Sequence, residues 1–143
     1  MNERELAPPT GMAPPVTATL PGGVVLELRP LACEITDRHL IRHAEDLQRY
    51  GETGREWCTH DNQYLISWAV LAVRDALSLR EQLAWLASVL TSRGYPLANL
   101  ADNLDTAAET VRQLVTSNDT PQLVSALEEG AQFIRGLCDS ESP

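Results

Sequence analysis

The chain has 143 residues, a hydrophobic content of 43% and a formal net charge of −9. That length suits one domain, and that apolar content is enough to build one core. The acidic excess disfavours binding to nucleic acid and to anionic membrane surfaces. All eleven basic residues are arginine, a composition that indicates a high-GC bacterial genome.

Three features of the sequence bear on the compartment. The three cysteines follow no regular spacing, so a disulfide framework is not expected. No apolar stretch approaches the ~20 residues of a membrane span. The first residues lack the basic region and apolar run of a secretory signal. We therefore expect a cytoplasmic protein that is not bound to a membrane.

Residues 1–34 are predicted to form a flexible tail. Their first part is rich in proline and glycine and shows no apolar period. Residues 24–28, with the sequence Val-Val-Leu-Glu-Leu, read as one short strand, but a lone strand is not stable without a partner. We expect this run to lie extended along the helices or to pair with a second copy of the chain.

The first two predicted helices are separated by a pair of glycines. Thr36 or Asp37 caps the first helix. The second helix covers about residues 55–75 and is apolar over a wide arc, which predicts a central position. Gly51 and Gly54 favour a turn that joins two antiparallel helices. Propensity alone does not distinguish this hairpin from a single helix that is kinked at the glycines.

The last three predicted helices have clear boundaries. Ser78 and Glu81 match a capping box, which starts the third helix. Gly94 supplies the left-handed residue that ends it. The fourth helix is predicted to have Pro96 in its first turn and to carry apolar residues from Leu97 to Leu114. The fifth is predicted to start at the cap and proline of residues 118–121 and to carry apolar residues as far as Cys138.

The predicted fold class is all-α, with about five helices in a mostly antiparallel bundle over residues 35–138. The loops are short, so successive helices should be neighbours. Residues 139–143 are expected to be a disordered C-terminus. The many acidic residues after Leu97 are expected on solvated helix faces, with a basic partner or mimicry of a nucleic acid as the alternative.

The polar residues best suited to chemistry are concentrated in the first predicted hairpin. All three histidines and one cysteine lie within residues 39–60, next to Asp61. His43 and Asp61 each fall on the apolar face of their helix, where an unpaired polar group costs ~1–3 kcal/mol. In a hairpin the two residues lie at similar heights. We therefore predict a hydrogen-bonded pair of His43 and Asp61.

Three interpretations of this cluster are open: a structural polar pair, a metal site for zinc or iron, and a pocket for a small ligand. The metal site is suggested by two histidines one helical turn apart, although no established metal-binding pattern is present. Its candidate ligands are His39, His43, Cys58, His60 and Asp61. The candidate residues of the ligand pocket are His43, Asp61, Trp57, Tyr64, Trp68 and Arg42. Arg42 is included because arginine holds carboxylates and phosphates, but pairing with Asp46 is the simpler explanation.

No catalytic motif is found, neither a glycine-rich phosphate loop nor a nucleophile elbow. We therefore predict a non-enzymatic interaction or regulatory module that binds a protein partner or forms a homodimer. The motive is an apolar arc on the second helix that is wider than one neighbour needs. The alternative is a sensor-like protein that binds a metal or a small ligand. An enzyme with an acid–base pair of His43 and Asp61 is the third hypothesis.

Overall fold

The computed structural model describes the backbone of residues 13–141 and the side chains of residues 13–139. Within them, five α-helices follow two short β-strands, which confirms the predicted all-α bundle. The elements are β1 Thr17–Thr19, β2 Val25–Glu27, α1 Leu28–Arg42, α2 Ala44–Val73, α3 Leu79–Ser92, α4 Leu97–Leu114 and α5 Thr120–Glu141. The tail prediction for residues 1–12 lies outside the described residues.

A short β-hairpin precedes the helices. β1 and β2 pair in antiparallel register, and residues 20–24 connect them. Gly23 has a φ of 99°, a left-handed conformation that glycine adopts without strain. Leu20 and Leu26 are buried in the core of the bundle. The expectation that residues 24–28 have no partner in their own chain is therefore wrong.

The first helix starts much earlier than predicted. α1 begins at Leu28 rather than at Thr36, so residues 28–34 are helical instead of part of a tail. Glu27 occupies the cap position but makes no side-chain cap hydrogen bond. Pro30 fits the first turn, because the N–H that it lacks has no partner there anyway.

The connection between α1 and α2 has features of both predicted alternatives, the helical hairpin and the helix that is kinked at the glycines. The chain leaves the helical conformation at His43, with φ −125° and ψ 62°. It breaks again inside α2 at Gly51, with φ 65° and ψ −156°, a combination essentially restricted to glycine. Residues 44–50 therefore form a short helical connector. Beyond the second break, α2 packs along α1.

The boundaries of α3 are confirmed, and α5 is longer than predicted. Ser78 Oγ accepts a hydrogen bond from the backbone N–H of Glu81 at 3.3 Å, and Gly94 ends α3 with a φ of 77°. α5 continues past Cys138 through residues 139–141, which are helical rather than disordered. Residues 142–143 are outside the described residues.

One core joins all five helices and the hairpin. Its largest fully buried side chains are Leu20, Leu28, Ile35, Leu65, Ile66, Leu83, Leu104, Leu123, Leu127, Ile134, His39 and Val70. α2 contacts α1, α3, α5 and β1, so several neighbours share its wide apolar arc. His39 is the one polar side chain in that set, and it marks where the core meets a polar region.

Within the described residues, no helix has the length and the apolar content to cross a bilayer.

Candidate ligand-binding pocket

A cavity of about 460 Å³ lies between α1, α2, the end of α3 and α4. Leucines and aromatic rings form most of its wall, and a few polar groups converge on it. The lining residues are His39, Leu40, Asp46, Tyr50, Gly54, Trp57, Cys58, Asp61, Leu65, Leu90, Arg93, Tyr95, Leu100 and Asn103. Small-molecule sites in proteins have volumes of ~300–1,000 Å³ and linings of this kind.

The two glycines of α2 shape one wall of this cavity. The break at Gly51 follows directly on Tyr50, whose ring lies 6.2 Å from the ring of Tyr95. A Cβ atom at Gly54 would lie 2.2 Å from the Cβ of Tyr50. Any larger residue at position 54 would therefore displace Tyr50 from the wall.

Asp46 is the centre of a hydrogen-bond network at one end of the cavity. The hydroxyl of Tyr95 donates to Oδ2 of Asp46 at 2.7 Å, and the amide of Asn99 donates to Oδ1 at 3.2 Å. His39 Nε2 lies 3.3 Å from Oδ2. Both carboxylate oxygens of Asp46 therefore accept hydrogen bonds. The other ring nitrogen of His39, Nδ1, is buried and has no hydrogen-bond partner among the described residues.

These hydrogen bonds decide the charge of the network. Burial by itself would raise the pKa of Asp46, but the hydrogen bonds with His39 and Tyr95 outweigh it, and the pKa is lowered. Burial and the neighbouring Asp46 carboxylate raise the pKa of the Tyr95 hydroxyl. At neutral pH, Asp46 is therefore ionised, and Tyr95 is protonated and donates to it.

A second buried network connects α1, α2 and α4 beside the cavity. Asn62 donates to Oδ1 of Asn103 at 3.2 Å, and Asn103 donates back to Oδ1 of Asn62 at 2.7 Å. The amide of Asn62 also donates to the hydroxyl of Thr36 at 3.1 Å. Asn62 is fully buried, and Asn103 is 5% exposed. This pair holds three helices in register next to the cavity.

Cys58 lines the cavity but is not an activated nucleophile. Its Sγ lies 3.6 Å from the amide nitrogen of Asn62 and 3.9 Å from Oδ1 of Asn103. Burial raises the pKa of the thiol to about 12, so the thiol is protonated at neutral pH. Because the thiolate is the form that attacks electrophiles, Cys58 is not poised as a nucleophile.

Asp61 lines the cavity from α2 without a direct polar partner. Across the described residues, its carboxylate has no hydrogen bond and no ion pair within 4.0 Å. Burial raises the pKa of Asp61 to about 7, and the positive charge of Arg93 acts in the opposite direction. Asp61 therefore changes its charge near neutral pH.

The predicted pair of His43 and Asp61 is wrong. His43 Nδ1 lies 3.0 Å from Glu45 Oε1, and its Nε2 lies 3.0 Å from Asp102 Oδ2. The reason is the end of α1. Because the chain leaves the helix at His43, that side chain turns towards α4, and His39, one turn earlier, takes the buried position.

The five candidate metal ligands do not form a metal site. In the described part of the chain, no group of three or more histidine, cysteine or acidic side chains is arranged to hold a metal ion. The rings of His39 and His43 stack 4.7 Å apart. The ring of His60 lies 5.6 Å from that of Tyr64. A site for zinc or iron is therefore not proposed.

The predicted aromatic residues divide between two places. Trp57 lines the cavity, and the guanidinium of Arg93 lies 5.3 Å from the centre of its ring. Tyr64 and Trp68 lie outside the cavity lining, in a row that ends at Trp85, with ring separations of 5.7 and 6.4 Å. Only the first of the three predicted aromatics therefore belongs to the pocket wall.

Arg42 holds the bundle together instead of lining the pocket. One nitrogen of its guanidinium donates to Oγ1 of Thr106 at 2.9 Å, and another lies 2.8 Å from Glu109 Oε2. Both partners are on α4, so the predicted pairing of Arg42 with Asp46 is wrong. The carboxylate of Asp46 is occupied by the network at the cavity.

Sequence reasoning missed several pocket residues. Tyr50 and Tyr95 were not singled out, since no local pattern predicts that the connector of residues 44–50 meets the segment after α3. Asn62 and Asn103 did carry a signal, because both amides fall on apolar helix faces. The rule that singled out His43 applies equally to them.

Comparison with known proteins gives no family for this chain. No protein-family model matches it, and neither the curated proteins nor the solved structures yield a significant match.

Proposed function

We propose that this protein binds a small, mostly apolar organic molecule in the cavity between α1, α2, α3 and α4. The observation that carries the proposal is the cavity itself, about 460 Å³ in volume. Its wall combines four leucines with the aromatic rings of Tyr50, Trp57 and Tyr95. A few polar groups converge on this apolar space, as in sites that fix the orientation of a ligand.

The polar groups of the cavity favour binding over nucleophilic catalysis. A catalytic nucleophile is activated by a neighbouring general base, by a lowered pKa or by a bound metal. The thiol of Cys58 has the amides of Asn62 and Asn103 as neighbours instead. The carboxylate of Asp46 is engaged by Tyr95 and other donors. These contacts support a site that holds a ligand without reacting with it.

The proposal is tested with a fluorescent apolar probe, N-phenylnaphthylamine, and a variant that fills the cavity. Leu90 lines the cavity and is only partly buried, so Leu90→Trp adds bulk there with modest strain. The native protein is expected to bind the probe saturably, at one molecule per chain. Leu90→Trp is expected to weaken binding by about tenfold or more.

The matched control is Leu77→Trp. Leu77 is also partly buried against the core but is not a lining residue of the cavity. This variant is expected to bind the probe as the native protein does. The proposal fails if the native protein shows no saturable binding, or if the two tryptophan variants lose affinity equally.

The predicted interaction module remains a second candidate. The observation that favours it is Trp85, which is 42% exposed at the end of the aromatic row that contains Trp68. Large aromatic side chains are enriched at protein interfaces. A sedimentation coefficient that rises with concentration would support self-association through this surface.

A further inference from the structure

We propose that the ligand of the cavity carries a protonated amine, which the carboxylate of Asp61 binds. The inference rests on the proposed ligand-binding function, and it names the chemical class of that ligand: an apolar body with one ammonium group.

The two carboxylates of the cavity wall differ in their surroundings. Asp46 accepts hydrogen bonds on both oxygens, from Asn99 on one and from Tyr95 on the other. Asp61 has no hydrogen-bond donor and no ion-pair partner within 4.0 Å across the described residues. The protein therefore supplies the hydrogen-bond donors for Asp46 itself. The carboxylate of Asp61 is left to pair with a ligand in the cavity.

Apart from the more distant charge of Arg93, the carboxylate of Asp61 has no cationic partner. An ionised carboxylate in apolar surroundings is costly unless it is paired and hydrogen-bonded. An ammonium group supplies both, since it carries a positive charge and three N–H donors. The aromatic rings of Tyr50, Trp57 and Tyr95 on the same cavity offer faces that attract cations. The chain's net charge of −9 also favours the approach of a cationic ligand.

Other occupants fit less well. A metal ion would need several ligands, and the described residues contain no group of three or more that could hold one. An anionic ligand would have to approach Asp46 and Asp61, and only Arg93 among the lining residues is a permanent cation. The guanidinium of Arg93 lies over Trp57. Because Arg93 is a cation with which an anion can pair, a carboxylic acid is included in the experiment as a competing ligand.

The ionisation of Asp61 adds a pH signature. Because the pKa of Asp61 is raised to about 7, below that pH an ammonium ligand must displace a proton from the carboxylate. Affinity for an amine should then fall by about tenfold per pH unit below about pH 7. The other titratable groups on the cavity wall are His39 from α1, Asp46, Tyr50 and Cys58 from α2, and Arg93 and Tyr95 from the end of α3.

The experiment compares three compounds with the same skeleton: phenylbutylamine, phenylbutanol and phenylbutanoate. Each competes with N-phenylnaphthylamine for the native protein. Near pH 8 the amine is expected to bind about tenfold more tightly than the alcohol, and the acid most weakly. Asp61→Asn is expected to remove the advantage of the amine and leave the affinity for the alcohol unchanged.

Asp75→Asn is the matched control for net charge. Asp75 lies outside the cavity lining and has a φ of 58°, a conformation that asparagine tolerates. It should keep the preference for the amine. If the probe binds but the alcohol or the acid binds as tightly as the amine, the inference about the amine is wrong and the ligand-binding function stands. If the probe does not bind, the function fails, and the inference fails with it.

Discussion

Replacement of Asn62 with alanine should lower the free energy of unfolding by about 2–4 kcal/mol, measured by urea denaturation. Asn62 is fully buried, and its amide exchanges hydrogen bonds with Asn103 at 3.2 and 2.7 Å. The substitution removes both bonds and leaves the buried amide of Asn103 without that partner. It also removes the donor to Thr36.

Two variants make this prediction specific. Asn118→Ala, at an exposed asparagine, should change stability by less than about 0.5 kcal/mol. The double variant Asn62→Leu with Asn103→Leu should be less destabilised than the sum of its single changes, because neither amide remains unsatisfied. Additive losses in the double variant, or a negligible loss in Asn62→Ala, would show that the amide network does not stabilise the bundle.

Asp61→Asn should have the opposite effect and stabilise the protein by about 2–4 kcal/mol near pH 8. The pKa of Asp61 is raised in the folded protein from its ordinary value of 3.8 to about 7. Between these values the unfolded chain has already lost the proton that the folded chain retains, so stability falls as pH rises. Near pH 4 the carboxyl group of Asp61 is protonated in the folded protein, so Asp61→Asn should change the free energy of unfolding little.

Asp46→Asn provides the contrast. The pKa of Asp46 is lowered in the folded protein, so its ionised form contributes stability above its ordinary pKa and loses that contribution as pH falls. Asp46→Asn should therefore destabilise the protein at neutral pH, and the difference should shrink in acid. Urea denaturation across pH measures both variants, and parallel profiles for the two would refute the assigned ionisation states.

The expected gain from Asp61→Asn has a functional meaning. A charged group that costs stability persists when it serves binding or chemistry. Asp46 and Asp61 line the same cavity, yet only the carboxylate of Asp46 is stabilised by its surroundings. The stability cost at Asp61 therefore supports the proposal that its carboxylate pairs with a ligand.

The bundle was predictable where helix ends carry local signals. The capping box at Ser78 and the glycine at Gly94 gave the bounds of α3. The start of α1 was not predicted, because Glu27 makes no side-chain cap hydrogen bond. The β-hairpin was missed, although Gly22 and Gly23 between two short apolar runs are a turn signal.

The site was predictable only in its approximate place. The sequence located a polar cluster in the α1–α2 region and named Asp61 and Trp57, which both line the cavity. It paired Asp61 with His43, because both fall on apolar helix faces at similar heights, and helical spacing does not reveal that α1 ends at Arg42. Tyr95 reaches the site through tertiary packing at the end of α3, which no local pattern encodes.

The most direct test of the central claim is to locate N-phenylnaphthylamine on the protein by nuclear Overhauser contacts. The account predicts contacts from the probe to the indole of Trp57 and to the methyl groups of Leu65 and Leu100, which line the cavity. Contacts confined to Phe133 and Ala126, in the open groove between α3 and α5, or no contacts at all, would contradict it.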